Sequence, residues 1–393
     1  MSKLKKTAVF DAKGFSLIEL LIYIAILAVL MTVVMQSFTV TLRRSGQQTS
    51  ITETKIETSI GIDLLRADIE HAGFGLPWRF QGTPVYTEPA PFSNAPNGVP
   101  LAFSSDDTPG PAGAPTINNS DYLTIRGTNV VVDAVGLSWG HVGRDAARNI
   151  DNLAFSLSAD PFAATDNVIV LRPETAPGRY RELMMVGANY ITQPTVAALT
   201  NYAPPSTPND PDGEKYLMYG LSANAISRPF NRTDYYISNL NVPAHCAPVT
   251  GVLVKADVNQ TQVAGANFTI LPIMDCVADF QIMYYLDTNG DGGSDTITNA
   301  NGLNTLSALD IRDQVKSVRY FILSHEGNVD ASYVHPNNLI SVGEVAADGV
   351  TLINVTAGGV AGQVLDLNAT VGPTWMNYRW RVDSVAVTPK NIR

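Results

Sequence analysis

An uninterrupted apolar run of membrane length begins near the start of the chain. It extends from Phe15 to Leu42, and Glu19 is its only charged residue. A helix of these 28 residues would be about 42 Å long, which is enough to cross a bilayer with some tilt. The pattern predicts a transmembrane helix with one carboxylate close to its start, where an unpaired charge is costly.

Helical periodicity continues beyond this run, on one side of the chain only. Between residues 43 and 75 the apolar positions recur every four or five residues, and Gln, Thr, Glu and Lys lie between them. These apolar positions are Ile51, Ile56, Ile60, Leu64 and Ile69. We predict that the same helix continues as an amphipathic stalk, with this apolar face against a globular body. Gly73, Gly75 and Pro77 predict where it ends.

A proline-rich segment, residues 76–120, separates the predicted helix from the rest of the chain. It contains nine prolines among Gly, Ser and Asn, which favours an extended connection over a helix. The sequence leaves open whether this connection is exposed or wrapped on the body.

Short strand-like stretches separated by turns fill residues 121–393. Several alternate apolar and polar positions, as expected for a sheet with one solvated face. The stretches are YLTIRG, NVVVDAVGLSW, NVIVLR, ELMMVG, GVLVKADV, ADFQIMYYL, VKSVRYFILS and RWRVDSVAV. We predict an α+β fold in which the long N-terminal helix packs on an antiparallel, β-rich body. The length of the body leaves room for an inserted subdomain within residues 130–275.

Composition and charge reduce the number of possible functions. Of the 393 residues, 45% are hydrophobic and 16% are charged, so the body can form a core, and the formal net charge is −10. An acidic body without a basic stripe argues against nucleic-acid binding. The only cysteines are Cys246 and Cys276, which predict one disulfide in an exported body. Two buried free thiols are the alternative.

The first fourteen residues, MSKLKKTAVFDAKG, are basic and contain no apolar segment of their own. A secretory signal peptide has its cleavage site after the apolar run, whereas the small-residue junction Gly14–Phe15 lies before it. Cleavage there would release residues 1–14 as a leader and leave residues 15–42 on the mature protein. The lysines before the run predict a cytoplasmic leader and an extracytoplasmic body.

The stretch KGFSLIELLIYIAIL, residues 13–27, resembles the type III signal of type IV prepilins and type II secretion pseudopilins. Three later segments, LLRADIEHAGFGLP, SDYLTIRG and YRWRVDSVAVTPKNIR, resemble the PilW-type minor pilin family. The resemblance implies cleavage after Gly14 by a prepilin peptidase and N-methylation of Phe15. It also implies packing of the N-terminal helix into a filament core.

Glu19 has a physical role in such a filament. We expect it to have no intrachain partner, because the helix otherwise offers apolar side chains, hydroxyls and Gln36. In a helical assembly it can lie beside the Phe15 ammonium of a neighbouring subunit, and each group neutralises the other in a low-dielectric core. We therefore predict an assembly salt bridge through Glu19.

One loop has the oxygen spacing of a cation site. In DTNGDGGSD, Asp287, Asn289 and Asp291 follow the spacing of calcium loops, and Asp295 comes four residues later. The bidentate Glu of an EF-hand would fall at Thr298, so that pattern fails. Calcium binding and a metal-free hairpin turn both remain open here, and we expect no required cofactor.

The catalytic signals are weak. GLSWG, Gly136–Gly140, matches the G-x-S-x-G of hydrolases, but only a short and weak helix candidate follows Ser138. No phosphate-binding loop, HExxH or dinucleotide motif occurs in the sequence. We therefore predict that the protein is not an enzyme.

Together these patterns predict a minor pilin of a type IV pilus that helps to initiate assembly close to the tip. It would first span the bacterial inner membrane once, with its body in the periplasm, and then move to the pilus at the cell surface. The predicted partners are other minor and major pilins, the prepilin peptidase, the inner-membrane assembly platform and, before assembly, membrane lipid. A type II secretion pseudopilin and a pilus-tip adhesin are the alternatives.

Overall fold

The structure is a computed structural model, and it opens with one very long helix, α1 (Leu17–His71). The predicted span and the predicted stalk are therefore a single continuous element. The described residues are 14, 16–90, 93–94, 97–106, 117–131, 133–145, 147–155, 162–173, 181–206, 214–260, 268–355 and 359–392. Residues 1–13 of the leader and Phe15 lie outside them.

The body that follows α1 is mostly β-sheet. Its strands are β1 (Arg79–Phe80), β2 (Phe103–Asp106), β3 (Tyr122–Gly127), β4 (Trp139–Arg144), β5 (Ile150–Phe155), β6 (Asn167–Arg172), β7 (Glu182–Leu183), β8 (Tyr216–Ser222), β9 (Asn231–Ser238), β10 (Gly251–Val258), β11 (Phe268–Leu286), β12 (Thr296–Thr298), β13 (Val315–Glu326), β14 (Leu339–Gly343), β15 (Gly362–Asp366) and β16 (Arg379–Val387). The short helices are α2 (Val196–Leu199), α3 (Ala300–Leu303), α4 (Ala308–Gln314) and α5 (Leu367–Thr370). The predicted α+β fold, a long helix on an antiparallel β-rich body, is confirmed.

The main sheet has eight strands and carries the helix. Seven of them lie in the order β16-β13-β11-β10-β9-β3-β2, and β12 pairs with β11. Every pair in this sheet is antiparallel. The C-terminal part of α1 lies across β11, β13 and β16, and Leu65 and Ile69 enter the core between helix and sheet.

A second sheet is inserted between two neighbouring strands of the main sheet. β3 and β9 pair with each other, although residues 128–230 separate them in the chain. These residues supply β4 to β8, and β1 completes a six-stranded sheet in the order β1-β7-β6-β8-β4-β5. The insertion expected within residues 130–275 therefore exists, and it ends where β9 begins.

Two of the predicted strands are shorter than the sequence indicated. In NVVVDAVGLSW the described residues before Trp139 form bends and turns, and the stretch enters the second sheet only at Trp139. The Asp133 carboxylate accepts the N–H of Val135, an Asx turn that interrupts the extended chain. Of ELMMVG, only Glu182–Leu183 forms a strand.

The described part of the proline-rich connection is wrapped on the sheet, and the sequence had left this open. Within it, β2 pairs with β3. Glu88 accepts from Arg126 of β3 at 2.6 Å and from Arg232 of β9 at 3.0 Å, and all three side chains are fully buried. Arg232 also makes two hydrogen bonds to Asp234. The described part of the connection is thus held by buried charges.

The side of α1 that contacts the body consists largely of small and polar residues. Its buried positions are Thr54, Thr58, Gly61, Leu65, Asp68 and Ile69. A Cβ on Gly61 would lie 2.5 Å from the carbonyl oxygen of Ile273, so the helix rests directly on the backbone of β11. Ile56 and Ile60 are 56% and 63% exposed, so their predicted burial against the body was wrong.

A buried ion pair fixes the end of α1 to the sheet. Lys255 of β10 places its Nζ 2.5 Å from Oδ2 of Asp68 and 2.9 Å from the carbonyl oxygen of Val130. Tyr235 of β9 donates its hydroxyl to the same carboxylate. Burial raises the pKa of Asp68, and the Lys255 ammonium and the Tyr235 hydroxyl oppose that rise by stabilising the charged form. The ammonium and the hydroxyl both donate to the Asp68 carboxylate. Removal of any of the three groups would deprive a buried polar group of a partner.

A disulfide between Cys246 and Cys276 joins β11 to the loop before β10, as predicted. The ladder between β10 and β11 is interrupted beside it, because Gly251 pairs with Val277 whereas Leu253 pairs with Met274. Cys276 lies in this bulge with a φ of 56°, a conformation that few non-glycine residues adopt. In the chain-entropy picture, closing a loop of this length stabilises the fold by about 3–4 kcal/mol.

A buried histidine supports the same loop. His325 of β13 packs against Tyr378 and Trp380, with ring centroids 4.6 Å and 5.2 Å apart. Its Nε2 accepts a 2.9 Å hydrogen bond from the N–H of Ala247. Burial lowers the pKa of His325 to about 3. The ring is therefore neutral at pH 7, as its acceptor role requires.

We expect Lys255→Met to lower the free energy of unfolding by about 3–5 kcal/mol, because the buried Asp68 carboxylate loses its cation. The double variant Asp68→Asn/Lys255→Met should recover most of that loss, since the buried carboxylate of Asp68 is removed together with its cation. Chemical denaturation of the detergent-solubilised protein measures both. Lys390→Met, which removes the exposed partner of Glu70, is the control and should cost less than about 1 kcal/mol. Equal losses for Lys255→Met and Lys390→Met would contradict the role given to the buried pair.

Candidate functional site

The N-terminal part of α1 forms an exposed apolar surface. Every side chain from Leu17 to Leu42 is exposed, and the body covers none of them. The helix is long and apolar enough to cross a membrane. The body therefore leaves this part of the helix available to lipid or to another protein.

Glu19 lies in the first turn of this surface. Its Oε2 accepts a 3.0 Å hydrogen bond from the backbone N–H of Ser16, so the expectation of no intrachain partner was wrong. The first N–H groups of a helix have no partner within the helix, and a carboxylate three residues on can accept one of them. This contact supplies a hydrogen bond but no opposite charge. The described residues contain no ion pair of Glu19.

Within the described part of the chain, Gly14 has no steric reason to be glycine. A Cβ built on it would meet no described atom within 4 Å. The predicted methylation site, Phe15, lies outside the described residues. The described residues therefore give no packing reason for a glycine at position 14.

The apolar surface reappears on the stalk. Ile56 and Ile60 lie one helical turn apart and project away from the body, which binds the helix through Thr58 and Gly61. Covering these two isoleucines with another apolar surface would be favourable, because it would remove apolar area from water. The stalk thus has a body-facing side and an uncovered apolar side.

The predicted calcium loop forms the turn between β11 and β12. Lys316 places its Nζ 2.7 Å from Oδ2 of Asp287. The hydrogen bond from Lys316 is the main reason that the pKa of Asp287 lies below its usual range. The same carboxylate accepts the N–H groups of Gly290 and Gly292. A cation at Asp287 would have to compete with the ammonium group of Lys316.

The other carboxylates of this loop also have partners within it. Asp295 accepts from the backbone and hydroxyl of Thr288 and from the N–H of Asn289. Asp291 accepts from the side chain of Asn289 and the N–H of Gly293. These contacts can hold the conformation of the loop without a metal ion. Calcium binding by Asp287, Asn289, Asp291 and Asp295 stays a prediction.

Among the described residues, one group of three His, Cys, Asp or Glu side chains brings its ligand atoms within 4.8 Å of one another. It consists of His245, Cys246 and Cys276, and both cysteines are in the disulfide. The three aspartates of the loop between β11 and β12 do not form such a group in this conformation.

The G-x-S-x-G stretch does not form a nucleophile elbow. Ser138 is 2% exposed, and its Oγ donates to the carbonyl oxygen of Ala134. The strand β4 begins at the next residue, where the hydrolase motif requires a helix.

Sequence reasoning missed the buried charges. Arg126, Arg232, Asp234 and Asp279 lie on strands of the main sheet, and each is fully buried. The signal that could have found them is a charged residue at a position that strand alternation assigns to a covered face. Asp279 differs from the others because no cation pairs with it among the described residues.

Comparison with known proteins identifies one segment of the chain. Residues 10–35 match the prokaryotic N-terminal methylation motif, which is a type IV prepilin-like signal. Neither the curated proteins nor the solved structures gave a match to the chain. The motif covers Gly14, Phe15 and Glu19 together with most of the apolar run from Phe15 to Leu42. The chain thus carries the N-terminal signal of pilin-like and pseudopilin-like proteins, which fits a membrane-anchored pilin.

Proposed function

We propose that this protein is a minor type IV pilin of the PilW type, which acts by assembly and has no catalytic role. The observation that carries the proposal is the two-sided helix α1. Small residues bind one side to the body, while the apolar side stays uncovered in the membrane-length part and again at Ile56 and Ile60. A simple membrane anchor needs no apolar residues on its extracytoplasmic stalk, whereas a subunit that packs its helix among other helices does.

Cleavage would convert the anchor into an assembly element. A prepilin peptidase cuts between Gly14 and Phe15, removes the basic leader and creates a new ammonium at Phe15, which is then methylated. Glu19 keeps its hydrogen bond to the Ser16 N–H but gains a charge partner in the Phe15 ammonium of a neighbouring subunit. In a core of packed apolar helices this pairing favours one axial register between subunits.

The size of the body supports a position close to the pilus tip. The inserted second sheet adds about a hundred residues beside the main sheet, and a body of this size is difficult to repeat along a closely packed shaft. The protein would therefore act with other minor pilins in a complex that initiates the filament on the inner-membrane platform. Immunogold labelling distributed evenly along the shaft would contradict this position.

Glu19→Gln is expected to be cleaved and retained in the membrane but to enter pili at least tenfold less than the unchanged protein. The amide oxygen can still accept the Ser16 N–H, so the helix start is preserved and only the charge is lost. Immunoblots of membrane and sheared-pilus fractions measure processing and assembly separately. Glu19→Asp is the matched control that keeps the charge and should retain part of the assembly. Normal incorporation of Glu19→Gln into pili would show that assembly does not depend on the charge of Glu19.

Gly14→Val is expected to block removal of the leader without changing the fold, because a side chain at this position meets no described atom. Intact mass spectrometry of the membrane fraction should show the full-length chain, and circular dichroism should be unchanged. Cleavage at the normal rate and position would show that the peptidase does not require glycine at position 14.

A further inference from the structure

A small cavity lies on the face of the main sheet opposite α1, between β11 and the pair β14–β15. Its volume is about 150 Å³, roughly that of five water molecules. It is lined by Asn119, Gln281, Met283, Asn299, Val360, Gly362 and Gln363. Four of these seven residues carry carboxamide groups, so the lining is polar without being charged.

A buried carboxylate without a countercharge lies next to this cavity. Asp279 of β11 is 0% exposed, and its Oδ1 accepts from the hydroxyl of Ser120, the amide of Gln281 and the N–H of Phe280 at 2.8–3.0 Å. Among the described residues its Oδ2 has no partner at normal hydrogen-bond distance, but the side chain of Gln363 also helps to stabilise the carboxylate. Burial raises the pKa of Asp279 to about 6, while its hydrogen bonds favour the charged form. Burying such a charge among neutral donors costs stability.

The orientation of two lining amides follows from their partners. Gln281 donates its Nε2 to the Asp279 carboxylate, and Gln363 donates its Nε2 to the carbonyl oxygen of Asn118 at 2.9 Å. Carboxylate and carbonyl oxygens can only accept, so the NH₂ end of each amide must face them. The two Oε1 atoms therefore point away from these partners. No hydrogen bond to either Oε1 is found in the described part of the chain.

The wall of the cavity has a left-handed backbone. Asn118 and Asn119 are consecutive, and both have a φ of 56°, a conformation that Asn adopts more readily than most other non-glycine residues. Asn118 is fixed there because its Nδ2 donates to the carbonyl oxygens of Val249 and Ala278 at 3.1 Å and 2.8 Å. The loop that carries Asn119 to the cavity is thus preformed.

We propose that this cavity binds a primary ammonium group on a small molecule of the size of one amino sugar. An ammonium carries three N–H donors and no acceptor. It matches a cavity that presents the carbonyl oxygens of Gln281 and Gln363 in the field of an unpaired carboxylate. The cation also supplies the countercharge that Asp279 lacks. This site lies on the opposite face of the sheet from α1 and goes beyond the role in assembly.

The test is isothermal titration of the full chain in detergent with D-glucosamine and D-glucose at pH 7. The two probes differ by an ammonium in place of a hydroxyl, and glucosamine should bind at least tenfold more tightly. Asp279→Asn should weaken glucosamine binding at least tenfold while its thermal unfolding temperature stays equal or rises, since an uncompensated buried charge is removed. Asp63→Asn, an exposed carboxylate on α1, is the control and should leave binding unchanged.

Three results would overturn the proposal. Equal affinity for glucose and glucosamine would show that hydroxyl groups and not the ammonium are recognised. Unchanged glucosamine binding by folded Asp279→Asn would show that the Asp279 carboxylate does not contribute to binding. No measurable heat with either sugar at millimolar concentration would show that the cavity takes neither.

Discussion

The contact between α1 and the main sheet decides how the rest of the molecule can be used. At Gly61 the helix touches the backbone of β11 without room for a Cβ, and two turns later Asp68 is tied to Lys255 in the core. The helix cannot rotate about its axis without breaking that buried pair. The side of α1 that carries Gly61 and Asp68 is therefore always covered by the body. The side with Ile56 and Ile60 must face outward.

The sequence predicted those elements whose signal is local. The apolar run, the methylation motif and strands such as β3, β6, β10 and β16 can be read from neighbouring residues alone. The strand β9 was missed because it carries Arg232 and Asp234 in full burial. Buried charges are tolerated only with partners, and Glu88, one partner of Arg232, lies 144 residues away in the chain. Such a pairing leaves no trace in local periodicity.

The same limit applies to the functional positions. Gly14 and Glu19 lie in one contiguous motif, so their chemistry could be predicted. The helical pattern also marked Ile56 and Ile60 as apolar, but periodicity cannot tell whether an apolar face meets the protein's own body or another subunit. The cavity beside Asp279 collects Asn119, Asn299 and Gln363 from distant segments, and no spacing in the sequence brings them together.

Thiol labelling tests the claim that one side of α1 binds the body and the other binds neighbouring subunits, because it measures how accessible each side is. Ile60→Cys and Thr58→Cys place probes on opposite sides of the stalk, and both native cysteines are in a disulfide. In detergent-extracted protein a water-soluble maleimide should label position 60 rapidly and position 58, which is 6% exposed, slowly. In assembled pili position 60 should become protected. Equal labelling of position 60 before and after assembly would contradict the assignment of that side to subunit packing.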